Sequence, residues 1–294
     1  MVRLLIACMR LIAPLPLPLL RALGWGFGML LFALAHARRH VVQVNLRHCF
    51  ASLSDAERAV LVRQHFVQVG QSLIDRAWLW HAPLEVVRHR LQWTGAVAQL
   101  AGEQPTVIFA PHFVGLDAGG LALTLHSSTP VAFIYVTQSN PDLEHWINQG
   151  RERGGSVKPY FRHDGVKKII TALRQGEKLH LSPDMDLGAQ DAVFVDFMGV
   201  PAATVTSLPR FAKLGRAQVV PMLTRMTPAG YTIEVLPAWT DFPSGDLTHD
   251  TERMNARLAE WIAAMPSQYY WVHKRFKTRP EGEASVYKKA AISR

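Results

Sequence analysis

The chain has little cysteine, little charge and, in its first 54 residues, no acidic side chain. Its 294 residues include two cysteines, Cys8 and Cys49, which are too few for a disulfide framework and lie in no metal-ligand spacing. Charged residues make up 19% of the chain, where about a quarter is usual for a soluble domain. Internal repeats and low-complexity linkers are also absent. The length therefore predicts one large domain with a substantial core.

The basic charge is concentrated at the two ends of the chain. The net charge is +9, and residues 1–54 contain six arginines and no acid. Residues 268–294 contain seven basic and two acidic residues, whereas residues 55–267 contain 19 basic and 21 acidic ones. A nucleic-acid-binding protein would carry its basic residues across a folded face. This distribution predicts no nucleic-acid partner and favours a membrane surface with anionic lipid headgroups.

The N-terminus is apolar, but its longest uncharged run is short. Between Leu11 and Ala37 the only charged residue is Arg21, and the run from Ala22 to Ala37 has 16 residues, fewer than the roughly 20 that span a bilayer. Arg21 at one end and Arg38 with Arg39 at the other are expected to reach the two membrane interfaces.

This pattern predicts a hydrophobic membrane anchor over residues 1–40, followed by a catalytic domain with a basic tail over residues 41–294. A single span, a re-entrant anchor and an interfacial helix all satisfy the anchor pattern. A buried first helix of a soluble domain is the alternative outside the membrane. A cleaved signal peptide fits less well, because no small-residue cleavage site follows the apolar run.

Apolar patterns alternate between the strand and helix periods along the rest of the chain. Strands are predicted at 91–93, 106–110, 131–136, 178–181, 218–225 and 231–236. Helices are predicted at about 55–80, 116–126, 141–150, 165–175, 205–214 and 248–265. These elements predict a single α/β domain with a mixed, mainly parallel central sheet flanked by helices, after an N-terminal membrane-anchoring helix. The strand that follows His112 and the strand before Asp184 are expected side by side.

His112 and Asp117 lie where a predicted strand gives way to a helix. Pro111 ends the strand, and Gly115 lets the chain bend before the helix. With His112 before the first helical turn and Asp117 within it, the carboxylate is expected to accept a hydrogen bond from the imidazole and to stabilise its charged form. A histidine bonded to a nearby backbone group is the structural alternative.

Two further segments carry candidate site residues. Arg151 ends a predicted helix, and its guanidinium is suited to a phosphate or an acyl oxygen, although a solvated surface arginine has the same pattern. Asp184 and Asp186 follow a predicted strand. They are suited to orient Arg151, to cap a helix or to bind a metal as in a glycosyltransferase, but a metal needs more oxygen ligands than these two. No metal site is predicted.

The order of these motifs resembles a known family. The motifs are Arg38-Arg39, Asn45-Leu46, His112-x4-Asp117, Gly150-Arg151, Ser182-Pro-Asp-Met-Asp-Leu-Gly188, Ala192-Val-Phe-Val195, Gly199-Val-Pro-Ala-Ala-Thr204 and Gln268-Tyr-Tyr-Trp-Val-His-Lys-Arg-Phe-Lys-Thr-Arg-Pro-Glu281. From about residue 38 to 287, the chain is similar to the late acyltransferases of lipid A biosynthesis in Gram-negative bacteria. A lone His-x4-Asp is weak, whereas the whole ordered series is specific.

The resemblance implies a glycerolipid acyltransferase-like fold and an inner-membrane enzyme with a cytoplasmic catalytic domain. It implies transfer of a fatty acyl chain from acyl carrier protein to a hydroxyl of a lipid A precursor of the Kdo-lipid IVA type, with no metal or bound organic cofactor. By the same resemblance, His112 is the general base and Asp117 its partner, while Arg151 and Asp184 bind substrate or stabilise the transition state. Pro111 departs from the Asn-His of related glycerolipid enzymes, which argues against a glycerol phosphate acceptor.

Two alternatives remain beside this expectation. In the first alternative, the enzyme acylates another glycolipid or a lysophospholipid. In the second, the chain is a non-catalytic lipid-binding membrane protein. The latter accounts for the basic, apolar N-terminus but gives no reason for a His-Asp pair at the end of a sheet.

Overall fold

A mostly parallel sheet of seven strands forms the centre of the molecule. The structure is a computed structural model and describes residues 2–135, 137–155, 157–161 and 165–288. The described chain has nine strands, of which all but β6 and β7 belong to this sheet. They are β1 (Leu91–Gly95), β2 (Thr106–Phe109), β3 (Val131–Tyr135), β4 (Val157–Phe161), β5 (Lys178–Leu181), β6 (Ala192–Phe197), β7 (Val200–Val205), β8 (Gln218–Thr227) and β9 (Gly230–Val235).

Ten α-helices surround this sheet in the described part of the chain. They are α1 (Val2–Ile12), α2 (Leu17–Leu34), α3 (His36–Cys49), α4 (Asp55–His81), α5 (Leu84–Arg90), α6 (Leu116–His126), α7 (Pro141–Glu152), α8 (Val166–Arg174), α9 (Ser207–Gly215) and α10 (Leu247–Ala264). Short 3₁₀ helices lie at Val97–Leu100 and Pro266–Gln268.

The strand order is β1-β9-β8-β2-β5-β3-β4, and β6 with β7 forms a separate antiparallel hairpin. Neighbours in the large sheet are parallel except β8 and β9, so the predicted mixed, mainly parallel α/β fold is confirmed. The expected neighbours β3 and β5 pair through Phe133 and His180. β2 lies on the other side of β5, which brings the loop with His112 beside the loop with Asp184.

Both faces of the sheet are covered, because side chains alternate along each strand. In β2, Val107 and Phe109 pack on the side of α3, α8, α9 and α10. Ile108 faces the side of α1, α2, α6 and α7. All four residues of β2 are buried, which explains why the strand is an unbroken apolar run rather than an alternating one.

The predicted elements from residue 55 onward are confirmed in position, with ends shifted by a few residues. Val136, the last residue of the third predicted strand, lies outside the described residues. The predicted N-terminal apolar helix is present as α2, whereas β4, the β6–β7 hairpin and the helices α1, α3 and α5 were not predicted. The predicted division after residue 40 falls within α3, which runs unbroken through it.

The start of α4 follows from its sequence. The Ser54 hydroxyl accepts a hydrogen bond from the Glu57 N–H, and the Glu57 carboxylate accepts one from the Ser54 N–H. This capping box satisfies two backbone donors that a helix start leaves free. It confirms the predicted start of the longest helix, which contacts both the N-terminal helices and the site described below.

Glycines set the contact between α2 and α4. A Cβ atom on Gly28 would lie 2.7 Å from Val67 Cα, and one on Gly70 would lie 2.5 Å from Gly28 Cα. Such distances are shorter than real carbon contacts, so the two backbones touch only because both residues lack a side chain. Gly26, on the outer side of the same helix, has nothing within 4 Å of its Cβ position.

Gly28→Ala is expected to destabilise the protein by about 1–3 kcal/mol, the usual cost of forcing atoms into a filled contact. Gly26→Ala is the matched control, and it is expected to be neutral or stabilising by up to about 1 kcal/mol, because alanine favours an open helix position. Thermal unfolding of the two detergent-solubilised variants measures the difference. Equal midpoints would contradict the close contact.

Candidate functional site

His112 lies in a short loop that leaves the buried end of β2. Its backbone is fixed on both sides: the N–H donates to Asp184 Oδ2 at 3.0 Å, and the carbonyl accepts from the Tyr270 N–H at 2.9 Å. Ala110 N–H also donates to the Leu181 carbonyl, which continues the β2–β5 ladder to the last residue before Pro111. The loop is therefore held between the loop that follows β5 (residues 182–191, the β5 loop) and the chain after the last 3₁₀ helix (residues 269–288, the C-terminal segment).

The imidazole of His112 is held by Asp184. Nδ1 lies 2.8 Å from Asp184 Oδ1, and the carboxylate is fully buried while the histidine side chain is 23% exposed. An ionised carboxylate only accepts hydrogen bonds, so Nδ1 carries the hydrogen. Nε2 is then the unprotonated nitrogen of the neutral ring, as a general base requires.

Asp184 is ionised at neutral pH. Burial by itself raises the pKa of a carboxylate, but the adjacent His112 ring and the hydrogen bonds from His112 outweigh burial and hold the pKa of Asp184 below its usual range. A buried negative charge next to the ring stabilises the imidazolium that forms when Nε2 takes a proton.

Asp117 has different partners from those expected. Its Oδ2 accepts a hydrogen bond from Arg76 Nε at 2.9 Å and lies 2.7 Å from Arg76 Nη2, while its Oδ1 lies 3.6 Å from Arg151 Nη2. The predicted hydrogen bond from the imidazole to Asp117 is therefore wrong. Asp117 lies in the first turn of α6, where its carboxylate faces α4 and α7. The carboxylate that contacts the imidazole is that of Asp184, in the β5 loop.

Asp117 links two guanidinium groups at the site. Burial raises the pKa of this carboxylate, but Arg76 and Arg151 outweigh burial and leave the pKa of Asp117 lower than usual. Arg151 also lies over the Tyr135 ring, 4.9 Å from its centroid. The sequence suggested that Asp184 positions Arg151, and the structure gives that contact to Asp117. Arg151 is thus a partly buried site residue with two partners rather than a solvated one.

Asp186 ties the β5 loop to the C-terminal segment. Its carboxylate accepts from the Thr278 N–H at 2.6 Å and the Thr278 hydroxyl at 2.8 Å, and its own N–H donates to His273 Nε2 at 3.0 Å. Within the described ranges, no group of three or more His, Cys, Asp or Glu side chains is arranged to hold a metal ion. The contacts of Asp186 favour the structural interpretation of the Asp-x-Asp pair over the metal-binding one.

Motif residues that lie far from His112 in sequence hold together the segments around Asp184. The buried Asn45 amide donates to the carbonyls of Trp271 and His273, both at 2.8 Å. The Tyr269 hydroxyl donates to the Asp184 backbone carbonyl at 3.2 Å. These bonds link α3, the C-terminal segment and the β5 loop, so the motif series describes one connected scaffold.

Two residues near the site were not singled out from the sequence. Arg76 is one of several basic residues on α4, and its spacing gives no sign that it meets Asp117. His180, in β5, packs against the Phe133 ring with 4.7 Å between centroids. The alternation in Lys178-Leu-His-Leu181, which puts a polar group on every second residue of a buried strand, was the available signal.

His180 stays neutral in the folded protein. Burial, with smaller contributions from the neighbouring His112 and Arg151, lowers its pKa to about 3. In the described part of the chain its Nε2 is buried and has no hydrogen-bond partner. A neutral histidine at this position adds no competing charge to the site.

The site and fold together define an α/β protein with a histidine–aspartate pair at the carboxyl ends of parallel strands, where such sheets place their sites. Over residues 1–278 the chain matches the family model of the bacterial lipid A biosynthesis acyltransferases. The chain belongs to this family. The family resemblance drawn from the motif order is confirmed.

Curated relatives agree over nearly the whole length. The lipid A biosynthesis lauroyltransferase of Escherichia coli (strain K12) is 32% identical, with 94% of this chain and 91% of the relative covered. The myristoyltransferase of the same strain is 31% identical over 92% of this chain and 84% of its own length. The palmitoleoyltransferase is 30% identical over 93% and 90%. These names support acyltransferase activity, and with the apolar α2 they fit a membrane-associated protein.

Proposed function

We propose that this chain transfers a fatty acyl group from acyl carrier protein to a hydroxyl of a lipid A precursor of the Kdo-lipid IVA type. We place the reaction on the cytoplasmic side of the bacterial inner membrane. The observation that carries the proposal is the His112–Asp184 pair, whose Nδ1 contact leaves Nε2 as the base. Family membership supplies the reaction class, and the relatives' names supply the acceptor class.

The proposed reaction starts with proton transfer from the acceptor hydroxyl to His112 Nε2 as the oxygen attacks the thioester carbonyl. The new C–O bond forms and the C–S bond breaks. The thiolate of the carrier leaves and takes the proton back from the imidazolium, so the histidine returns to its neutral form. Asp184 stabilises the charged ring between the two steps. The chemistry requires no metal or organic cofactor, and acyl carrier protein enters as a co-substrate.

Arg76 and Arg151 give the site its positive charge. Residues 101–150 contain no lysine or arginine, so α4 and the end of α7 bring the two guanidinium groups to Asp117. We propose that Arg151, which is 35% exposed, stabilises the developing oxyanion or binds a phosphate of the acceptor. Asp117 holds it in place. Guanidinium groups suit this part because their donors match planar oxygen pairs.

The non-catalytic alternative explains less of the structure. A lipid-binding protein has no need for a neutral imidazole held at both backbone and ring by one buried carboxylate. A glycolipid or lysophospholipid acceptor would use the same histidine, so the product distinguishes that alternative. The anionic acceptor and the acidic carrier both suit the basic ends of the chain.

Mass spectrometry of lipid A from cells with and without the gene tests the function. Loss of the gene is expected to remove the mass of one acyl chain, and the wild-type gene is expected to restore it. In a purified assay, the protein is expected to transfer that same chain from acyl carrier protein to the under-acylated lipid. Unchanged lipid A together with altered phospholipids would favour the other acceptor class, and lipid binding without turnover would favour the non-catalytic alternative.

A further inference from the structure

The outward face of α2 is entirely apolar. All eighteen residues of the helix are described, and Arg21 is its only charged residue. The exposed large side chains are Leu19, Leu23, Trp25, Phe27, Leu30 and Leu34. Soluble monomers rarely expose apolar surface of this extent, and a continuous patch of it marks a contact with a partner or a membrane.

Arg21 points into the protein rather than toward solvent. One guanidinium nitrogen lies 3.1 Å from the fully buried carboxylate of Asp75 and donates to the Gly230 carbonyl at 3.0 Å. The group also lies 5.3 Å from the centre of the Tyr231 ring. The expected reach of Arg21 to a membrane interface is therefore wrong, because this arginine fastens the start of α2 to α4 and β9.

The rest of α2 follows α4 in the antiparallel direction. Gly24 and Gly28 lie against Gln71 and Val67, and the Phe32 and Phe66 rings meet edge to face at 5.8 Å. From Arg21 to Phe32 the contact runs for roughly 17 Å at 1.5 Å per residue. An upright, bilayer-spanning α2 would carry α4 with it, including Asp75 and Gln71, to a depth where charged and polar groups are costly.

The segments on both sides of α2 are also attached to the domain. Before it, Arg3 Nε of α1 donates to Asp142 Oδ2 of α7 at 2.9 Å. After it, Arg38 of α3 donates to the Val272 carbonyl at 3.3 Å. Since α7 and the C-terminal segment both belong to the sheet domain, the two ends of α2 lie on the same side of any membrane that its outer face touches.

We propose that α2 lies in the plane of the bilayer, with its outward face buried in one leaflet, and does not cross the membrane. The charge around the helix supports a bilayer with anionic headgroups as the partner, because residues 1–54 contain five arginines besides the inward-pointing Arg21 and no acid. Arg3 and Arg10 line a groove of about 650 Å³ between α1 and α7, next to the exposed Leu4, Leu5 and Leu11. Apolar residues beside basic ones characterise interfacial helices.

This orientation connects the membrane surface to the site. On α4, Asp75 binds Arg21 of the membrane helix, and the next residue, Arg76, binds Asp117. The start of α2 and the first turn of α6, which follows the loop with His112, are thus held by consecutive residues of one helix. A lipid acceptor would reach His112 from the leaflet that α2 enters, without leaving the membrane surface. The inference rests on the membrane attachment in the proposed function, and it adds the orientation of α2 relative to the bilayer.

Thiol labelling distinguishes an in-plane helix from a spanning one. Arg3→Cys, in a background with Cys8→Ala and Cys49→Ser, places the only thiol before α2 at a position whose side chain is 85% exposed. Ala256→Cys, on the exposed side of α10 in the same background, reports the side of the catalytic domain. A membrane-impermeant maleimide is applied to intact spheroplasts, to inverted membrane vesicles and, as a reactivity control, to detergent-solubilised protein.

Both thiols are expected to react in inverted vesicles and to remain at least tenfold less labelled in spheroplasts. Labelling of the Arg3→Cys thiol in spheroplasts, with Ala256→Cys labelled only in inverted vesicles, would show a spanning helix and overturn the proposal. Protection of the Arg3→Cys thiol in both membrane preparations would also overturn it, since the proposal leaves this exposed position at the membrane surface on the side of the catalytic domain. Acyl transfer is measured separately, so failure of the orientation leaves the enzyme assignment open to its own test.

A matched pair of triple variants tests the face itself. Leu23→Glu, Phe27→Glu and Leu30→Glu together charge the outer side of α2, whereas Val60→Glu, Val166→Glu and Leu214→Glu charge exposed apolar residues elsewhere. In sedimentation with vesicles containing anionic phospholipid, the first variant is expected to lose at least tenfold in bound fraction and the second to bind like the parent. Equal binding would overturn the proposal. So would a parent that is a dimer in solution and becomes monomeric only in the first variant, because a second copy would then cover the face.

Discussion

His112→Ala is expected to lower kcat about 10²–10⁴-fold, the usual contribution of a positioned general base. Nε2 is the only ring nitrogen free to accept the hydroxyl proton, because Nδ1 faces Asp184. The acceptor would still bind through other groups, so KM is expected to change far less than kcat. The measurement is steady-state acyl transfer from acyl carrier protein to the lipid acceptor by purified wild-type and variant enzymes.

His249→Ala is the matched control for this change. His249 is exposed on α10, and its replacement is expected to leave kcat within twofold of wild type. Far-ultraviolet circular dichroism and the unfolding midpoint establish that both variants are folded. A folded His112→Ala enzyme with the wild-type rate would remove the general base from the proposed reaction.

Asp184→Asn is expected to lower kcat by a similar factor, about 10²–10⁴. The amide has the size of the carboxylate but lacks its charge, and it can present a donor to Nδ1, which favours the wrong tautomer. The equivalent change in a serine protease triad lowers kcat about 10⁴-fold for this reason. KM for the lipid is expected to stay close to the wild-type value, since Asp184 is buried behind the ring.

Asp184→Asn is also expected to change the pH dependence of the reaction in a definite direction. Because its pKa is lowered in the folded protein, the carboxylate stays charged across the neutral and mildly acidic range and favours the imidazolium. Replacement by a neutral amide makes the ring harder to protonate. The acidic limb of the kcat/KM profile is therefore expected to move to lower pH in Asp184→Asn, and a change that merely loosened the structure would not move it in this direction.

Asp117→Asn distinguishes the role of Asp117 from that of Asp184. Asp117 binds Arg76 and Arg151 rather than the imidazole, so its amide variant is expected to keep the wild-type acidic limb. The amide binds the guanidinium groups of Arg76 and Arg151 less strongly than the carboxylate does. We therefore expect a higher KM for the acceptor if Arg151 binds its phosphate, or a lower kcat if Arg151 stabilises the oxyanion. If Asp117→Asn shifted the acidic limb and Asp184→Asn did not, the assignment of the ring partner from the structure would be wrong.

The local elements were largely accessible from sequence because their signals are local. The capping box at Ser54, the buried run from Thr106 to Phe109 and the one-sided pattern of α10 each depend on residues within a few turns of each other. β4 was not predicted, since Val157–Phe161 includes a lysine and a proline. The β6–β7 hairpin was matched only as sequence motifs, since neither strand alternates cleanly between buried and exposed positions.

The chain's own pattern of residues was enough to predict the family and the α/β class, both confirmed, and to single out His112 as the candidate base. The carboxylate on that histidine depended on the three-dimensional arrangement. Asp117 is five residues from His112 and Asp184 is seventy-two, yet β2 and β5 are hydrogen-bonded neighbours and deliver His112 and Asp184 to the same point. Likewise, hydropathy predicted an N-terminal apolar helix, while the inward direction of Arg21 depends on contacts with α4 and β9, because side-chain direction is fixed by packing and not by composition.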